Sequence, residues 1–243
     1  MNRLNVLYKT ALVTGASHGG LGRHLALYLA RSGLQVALVA RRQDSLESVA
    51  KEITDAGGTA LPIAADITQM ADVERAFSQT RAGFGDVDLL INNAGSILIK
   101  AFEQITPDEW YGTVRPMVDG TFHCCSQAVP SMLAKGHGCI INISATSAVR
   151  PKPMFSAFNT AKFGLRGFTQ ALALELRPRG IHVASLVLDG VIDHERVREL
   201  FPDGNPAEWL DVAEICKAVK YLATQDVRAW THEFTLTSAE EGD

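Results

Sequence analysis

The residues best suited to chemistry sit in a glycine-rich turn. A short apolar run, Ala11-Leu12-Val13, leads into Thr14-Gly15-Ala16-Ser17-His18-Gly19-Gly20-Leu21-Gly22, and a helical pattern follows. Glycines adopt positive φ and let a backbone approach a ligand closely, while a helix N-terminus offers free N–H groups and partial positive charge. Between a strand and a helix, this arrangement predicts a pyrophosphate cradle. The second apolar run ends in Ala40-Arg41-Arg42. An acidic residue there would bind the 2′-hydroxyl of NAD, whereas guanidinium groups suit a 2′-phosphate. The expected ligand is therefore NADP(H), with Asp66, after the third run, placed to meet the adenine edge.

Positioning these residues requires a regular scaffold. Apolar runs occur at 11–13, 36–39, 61–64, 87–91, 139–143 and 183–187, with a weaker one at 234–236. They are continuous rather than alternating, as strands covered on both faces must be. Between them lie stretches with apolar spacing of three and four, such as Leu25 to Leu29, Leu46 to Ile53 and Phe163 to Leu176. Strand–helix alternation predicts one α/β domain over residues 1–243, a Rossmann-type doubly wound parallel sheet of about seven strands with helices on both faces. Residues 193–208 are charged and turn-rich, and form the candidate mobile segment over a pocket.

Bulk properties exclude several classes. The 243 residues carry 23 basic and 27 acidic side chains, a net charge of −4, so no footprint for nucleic acid exists. No apolar run reaches the roughly 18 residues of a membrane span, and the first eight residues lack the apolar core of a signal peptide. Cys124, Cys125, Cys139 and Cys216 form no C-x-x-C pair and no zinc spacing with the seven histidines. They read as buried free thiols in a reducing cytoplasm.

Together with Asn92-Asn93-Ala94-Gly95 after the fourth strand, these features resemble the classical short-chain dehydrogenase/reductase family from Thr10 to about Leu236. The resemblance implies cofactor contacts from Gly15, Ser17, His18, Gly20, Leu21 and Gly22, from Arg41 and Arg42, and from Asp66 and Ile67. It adds Asn93, Ala94 and Gly95, then Lys162 as the lysine that holds the nicotinamide ribose. Asp189-Gly190 stands at the family's Pro-Gly, with Val191 and Ile192 near the nicotinamide amide. It also implies a homodimer or homotetramer built on two helices, here 112–132 and 155–177. The apolar series Phe163, Leu165, Phe168, Leu172 and Leu176 is too large for one face and supports that expectation.

The departures concern proton transfer. The glycine turn carries one extra residue around His18-Gly19. The family's Tyr-x-x-x-Lys reads Phe158-Asn159-Thr160-Ala161-Lys162, its serine falls on Ala145, and its helix asparagine falls on Met117. Phe158 has no acidic proton and Ala145 cannot hydrogen-bond a carbonyl. Loss of general-acid catalysis costs about 10²–10⁴-fold, yet orientation against a bound nicotinamide still assists hydride transfer. Pro116, beside Met117, is placed to keep a helix kink that the family supports otherwise. Substitute groups are Ser144, Thr146 and Ser147 around Ala145, and Asp189 and His194 on the nicotinamide side. Met154 and Phe155 are expected to wall an apolar pocket. Three functions fit: an atypical NADP(H)-dependent oxidoreductase that reduces a small-molecule carbonyl, a non-catalytic NADP-binding protein, and a non-redox cyclase or lyase on the same scaffold.

Overall fold

A computed structural model describes residues 3–239. After a short helix α1 (Arg3–Leu7), strand β1 (Thr10–Thr14) leads into α2 (Leu21–Arg31), β2 (Gln35–Ala40), α3 (Gln43–Asp55), β3 (Thr59–Ala64) and α4 (Met70–Phe84). The second half runs β4 (Leu89–Asn92), α5 (Pro107–Met117), α6 (Asp119–Lys135), β5 (Gly138–Ala145), α7 (Ser156–Leu176) and β6 (Ile181–Asp189). Then come β7 (Ile192–Asp193), α8 (Glu195–Leu200), β8 (Leu210–Asp211), α9 (Val212–Ala223) and β9 (Glu233–Thr237).

Seven strands form one sheet in the order β3-β2-β1-β4-β5-β6-β9, and every pairing is parallel. The chain builds outward from β1 to β3, then returns to place β4 against the other side of β1. That reversal opens a crevice beyond the carboxyl ends of β1 and β4, where open α/β sheets bind ligands. Continuous burial along β1, β4, β5 and nearly all of β6 accounts for their unbroken apolar runs. One face is covered by Leu25, Leu29, Leu46, Val49, Ile215 and Val219 from α2, α3 and α9. The other is covered by Val73, Phe77, Cys124, Ala128, Met132 and Leu176 from α4, α6 and α7. No helix among the described residues is long and apolar enough to cross a membrane.

Several elements differ from the expected ones. The helix expected over 112–132 is two helices that break at Val118 (φ −101°, ψ −68°), two residues after Pro116. Its start lies earlier, because Thr106 and Glu109 form a reciprocal capping box that begins α5 at Pro107. The expected strand at 87–91 begins only at Leu89, although the Asp88 backbone already bonds to Thr10 and Cys139 on the neighbouring strands, and its carboxylate also accepts from the N–H groups of Lys9 and Thr10. Residues 193–208, expected as turn-rich, contain regular elements. Short strands β7 and β8 pair at the two ends of this segment, and α8 lies between them.

A buried chain of polar side chains ties the layers together. Asn92 Nδ2 on β4 donates to Asn142 Oδ1 on β5 at 2.9 Å, and Asn142 Nδ2 donates to Thr169 Oγ1 on α7 at 2.8 Å. Thr169 in turn donates to the Leu165 carbonyl. An unpaired buried polar group costs about 1–3 kcal/mol, so breaking this chain exposes more than one such cost. Asn142→Ala is expected to destabilise the protein by about 2–4 kcal/mol, measured by urea unfolding, whereas Thr169→Ser should cost less than half of that.

Candidate functional site

The glycine turn has the geometry of a phosphate cradle. Gly15 has φ +67°, and a Cβ there would lie 2.9 Å from Ala94 Cα. A Cβ on Gly22 would lie 2.3 Å from the Gly15 carbonyl oxygen, so neither position admits a side chain. Gly19 is buried and in the left-handed region at φ +78°, so the extra residue is accommodated by a backbone conformation that glycine adopts freely. Gly20 is the N-cap of α2 and supplies no side-chain cap. The first N–H groups of α2 therefore remain available to an anion, and the space a Gly20 side chain would fill stays open. Leu21 is buried in the core, so only its backbone can face a ligand.

Asn93 locks this turn to β4. Its Nδ2 donates to the Thr14 carbonyl at 3.0 Å, while the backbone N–H groups of Asn93 and Ala94 donate to Thr14 Oγ1. The Arg41 and Arg42 side chains make no ion pair among the described residues and lie at the exposed end of β2. Ser17 and His18 complete the turn, and the His18 N–H donates to Ser45 Oγ at 2.8 Å. Asp66 is partly occupied by its own turn, because its Oδ1 accepts from the N–H and hydroxyl of Thr68. Ile67 works as packing: its side chain occupies the space beside Gly120, and its carbonyl accepts from the His123 ring at 2.8 Å. These groups fit a phosphorylated dinucleotide laid across the ends of β1, β2 and β4.

Lys162 is buried on α7, and Nζ donates to the Ile143 carbonyl at 2.8 Å. It lies 5.5 Å from the centre of the Phe158 ring, one helical turn earlier. Burial pushes its pKa down to about 8. Met117 is fully buried and packs against Gly95, where a Cβ would lie 2.9 Å from Met117 Cγ. It fills with apolar atoms the place that the resemblance assigns to a polar group.

Three of the candidate substitutes are placed as follows. Ser144 immediately precedes Ala145 on β5, and successive strand residues point to opposite faces. It therefore cannot stand in for a hydroxyl at 145, and its Oγ is buried without a partner. His194 is the N-cap of α8 and accepts from the Val197 N–H; burial lowers its pKa. Asp189 is engaged by its neighbours. Its carboxylate accepts from the Thr146 hydroxyl and pairs with Arg150 at 3.2 Å.

One part of the site left no sequence signal. Helix α8 docks on the glycine turn: the Arg196 N–H donates to the Gly19 carbonyl at 3.1 Å, and Glu195 pairs with Arg23 at 3.0 Å and His24 at 3.1 Å. Burial raises the Glu195 carboxyl, but its own N–H and the His24 and Arg23 side chains outweigh that and hold it at about 2. The contacts span more than 170 residues of sequence, beyond the reach of any local pattern.

The family model described as short chain dehydrogenase matches residues 9–203. The chain belongs to that family. Among its relatives, the 3-oxoacyl-[acyl-carrier-protein] reductase FabG of Staphylococcus epidermidis is 34% identical over 196 residues, 80% of each chain. The glycine betaine reductase ATRR of Emericella nidulans is 29% identical over 96% of this chain, which spans only 19% of that longer protein. A metagenomic short-chain oxidoreductase solved in complex with NADP superimposes with a TM-score of 0.82 at 28% identity, covering 96% of this chain and 98% of that one.

In this family member, Lys162 has been left in a dry site without an acidic partner, and its charge has a measurable cost. The folded pKa of about 8 lies below the ordinary 10.5, so between those values the unfolded chain binds more protons and stability rises with pH. At pH 7 both states are protonated and the penalty is full, roughly 3 kcal/mol by the pKa difference. Lys162→Met is therefore expected to be more stable than the parent at pH 7. The gap should close as pH rises through about 8 to 10.5, as followed by urea unfolding of the cofactor-free protein.

Proposed function

We propose that the protein is an NADP(H)-dependent oxidoreductase that reduces a carbonyl of a small molecule without a tyrosine acid. The carrying observation is a complete cofactor cradle beside a site stripped of its usual proton donors. Gly15 and Gly22 are sterically obligatory, the N-terminus of α2 is uncapped, and Arg41 and Arg42 are unpaired among the described residues. Bound there, NADPH supplies the hydride; Asn93, Ala94 and Gly95 border it, and Lys162 holds its ribose. Gly190 and Ile192 leave β6 toward the nicotinamide end.

The absence of a hydroxyl at positions 158 and 145, with Met117 packed under Gly95, favours one other reading, a non-catalytic NADP-binding protein. Non-redox chemistry, as in a cyclase or lyase, has no observation of its own in its favour. Apolar side chains left exposed on α6 and α7, namely Phe122, Phe163 and Leu174, support a homodimer or homotetramer through these helices. Four buried free thiols suit a reducing cytoplasm.

Two measurements test the reading. NADPH should bind more tightly than NADH, and Arg41→Ala should weaken NADPH alone by about 1.5–3 kcal/mol, by fluorescence titration. Deuterium from 4-deuterated NADPH should appear in the product of a carbonyl panel. The double variant Phe158→Tyr with Ala145→Ser should raise that rate by about 10²-fold on ketones that enter the pocket. Tight NADPH binding with no deuterium transfer to any carbonyl would establish the non-catalytic reading instead.

A further inference from the structure

The loops leaving the carboxyl ends of β5 and β6 hold a polar cluster that the cofactor cradle does not use. Parallel pairing sets Ala145 opposite Leu188, so the next residues, Thr146 and Asp189, face one another across the end of the sheet. The Thr146 hydroxyl donates to Asp189 Oδ1. Arg150 Nη2 approaches both oxygens of the same carboxylate, at 3.3 and 3.2 Å. Thr146 immediately follows Ala145, the position without its serine, and is itself buried, whereas Arg150 is largely exposed and Asp189 remains partly open to solvent.

The direction of the hydrogen bond carries the argument. A carboxylate is acceptor-only, so the single hydroxyl proton of Thr146 is committed to Asp189. Toward anything in the cleft, Thr146 can then only accept. It cannot donate to a carbonyl oxygen, but it can receive the O–H of an alcohol. Ile97, Ile99, Val149, Met154 and Val191 are exposed in the loops that follow β4, β5 and β6, alongside the charged Arg150 and Lys152. Met154 is held there in the left-handed region, φ +66°, with its carbonyl accepting from the Lys100 N–H.

From this geometry we infer that Thr146 and Asp189 are the proton-accepting pair of the site, and that the reaction they assist is oxidation of an apolar alcohol. The inference rests on the oxidoreductase reading above and adds the proton partner and the assisted direction to it. As the carbinol C–H bond breaks, its hydride, with both electrons, goes to the oxidised nicotinamide. The alcohol O–H proton passes to Thr146 Oγ1, and the proton of Thr146 passes to Asp189, which becomes a neutral acid beside Arg150 and then loses the proton to water. The carbonyl compound leaves, and no further oxidant is needed. The same pair returns a proton in reduction only from its protonated form, so alcohol oxidation is the direction that the carboxylate assists. Arg150 acts as a positioning residue: it holds the carboxylate where Thr146 meets it.

Binding and turnover test this separately. In the cofactor-free protein, 1-phenylethanol should bind at least several-fold more tightly than acetophenone by ligand-observed NMR. Asp189→Ala, which frees the Thr146 proton, should abolish or invert that preference. With NADP+ and 1-phenylethanol or 2-octanol, Asp189→Ala and Thr146→Val should each lower kcat by about 10²-fold with NADP+ affinity unchanged, and Thr146→Ser should retain most of the rate. Added formate should restore turnover to Asp189→Ala but not to Thr146→Val, an effect that a purely structural role for Asp189 would not produce. Equal binding of alcohol and ketone, or an Asp189→Ala enzyme with parental kcat, overturns the pair while leaving the oxidoreductase reading intact. If the parent protein binds NADP+ and NADPH yet transfers hydride in neither direction, the oxidoreductase reading fails, and this inference fails with it.

Discussion

The chain of amides running from Asn92 through Asn142 to Thr169 is the constraint on which the rest of the site depends. It crosses from β4 to β5 and out to α7 without reaching solvent, so each link must be made inside the protein. Hydrophobic packing alone would let α7 slide along the sheet at little cost, because one apolar contact resembles another. A directional polar chain fixes the register instead. Two turns of helix before Thr169 stands Lys162, and the lysine reaches the Ile143 carbonyl because that register is held. On the other side of the same strands, Asn93 uses its backbone and side chain to tie the glycine turn to β4. Sheet, turn and helix are thus one assembly, and the crevice between β1 and β4 takes its shape from it.

Within that assembly, the charges are arranged unlike the usual pattern of an acid poised beside a lysine. Phe158 and Met117 put apolar atoms where proton-transfer groups are expected, and Lys162 loses hydration with one carbonyl and the face of the Phe158 ring in return. The lowered pKa is the direct result, since burial disfavours the charged form. Polar groups gather instead at the loop ends, where Thr146, Arg150 and Asp189 satisfy one another. A proline at this position would offer no side-chain acceptor; an aspartate needs both a donor and a counter-charge, and the residues beside it supply both.

Docking of α8 on the glycine turn gives the extra residue of that turn a structural consequence. In the longer turn it is the Gly19 carbonyl that accepts from the Arg196 N–H. Glu195 then bridges to Arg23 and His24 on the first turns of α2. Exposed ion pairs contribute little singly, but this one joins a backbone hydrogen bond and a shared partner in Glu52, so several contacts order the segment together.

The sequence by itself determined the parallel sheet, its strand number, the glycine cradle and the lost hydroxyls. These are legible because each is local: burial on both faces produces an unbroken apolar run, a ligand-facing turn requires glycine, and a missing phenol is missing in any fold. Element ends were less legible. Thr106 and Glu109 move the start of α5 by a capping box that the apolar pattern does not contain. The partner of each polar group was decided only by the tertiary structure. Ser144 faces away from the site by strand alternation, His194 caps a helix that composition did not announce, and Asp189 is claimed by Thr146 and Arg150, which stand 43 and 39 residues away in the chain. A residue type states which bonds it can make; only the fold brings a partner within 3 Å, and for charged and hydrogen-bonding groups that choice of partner sets the chemistry.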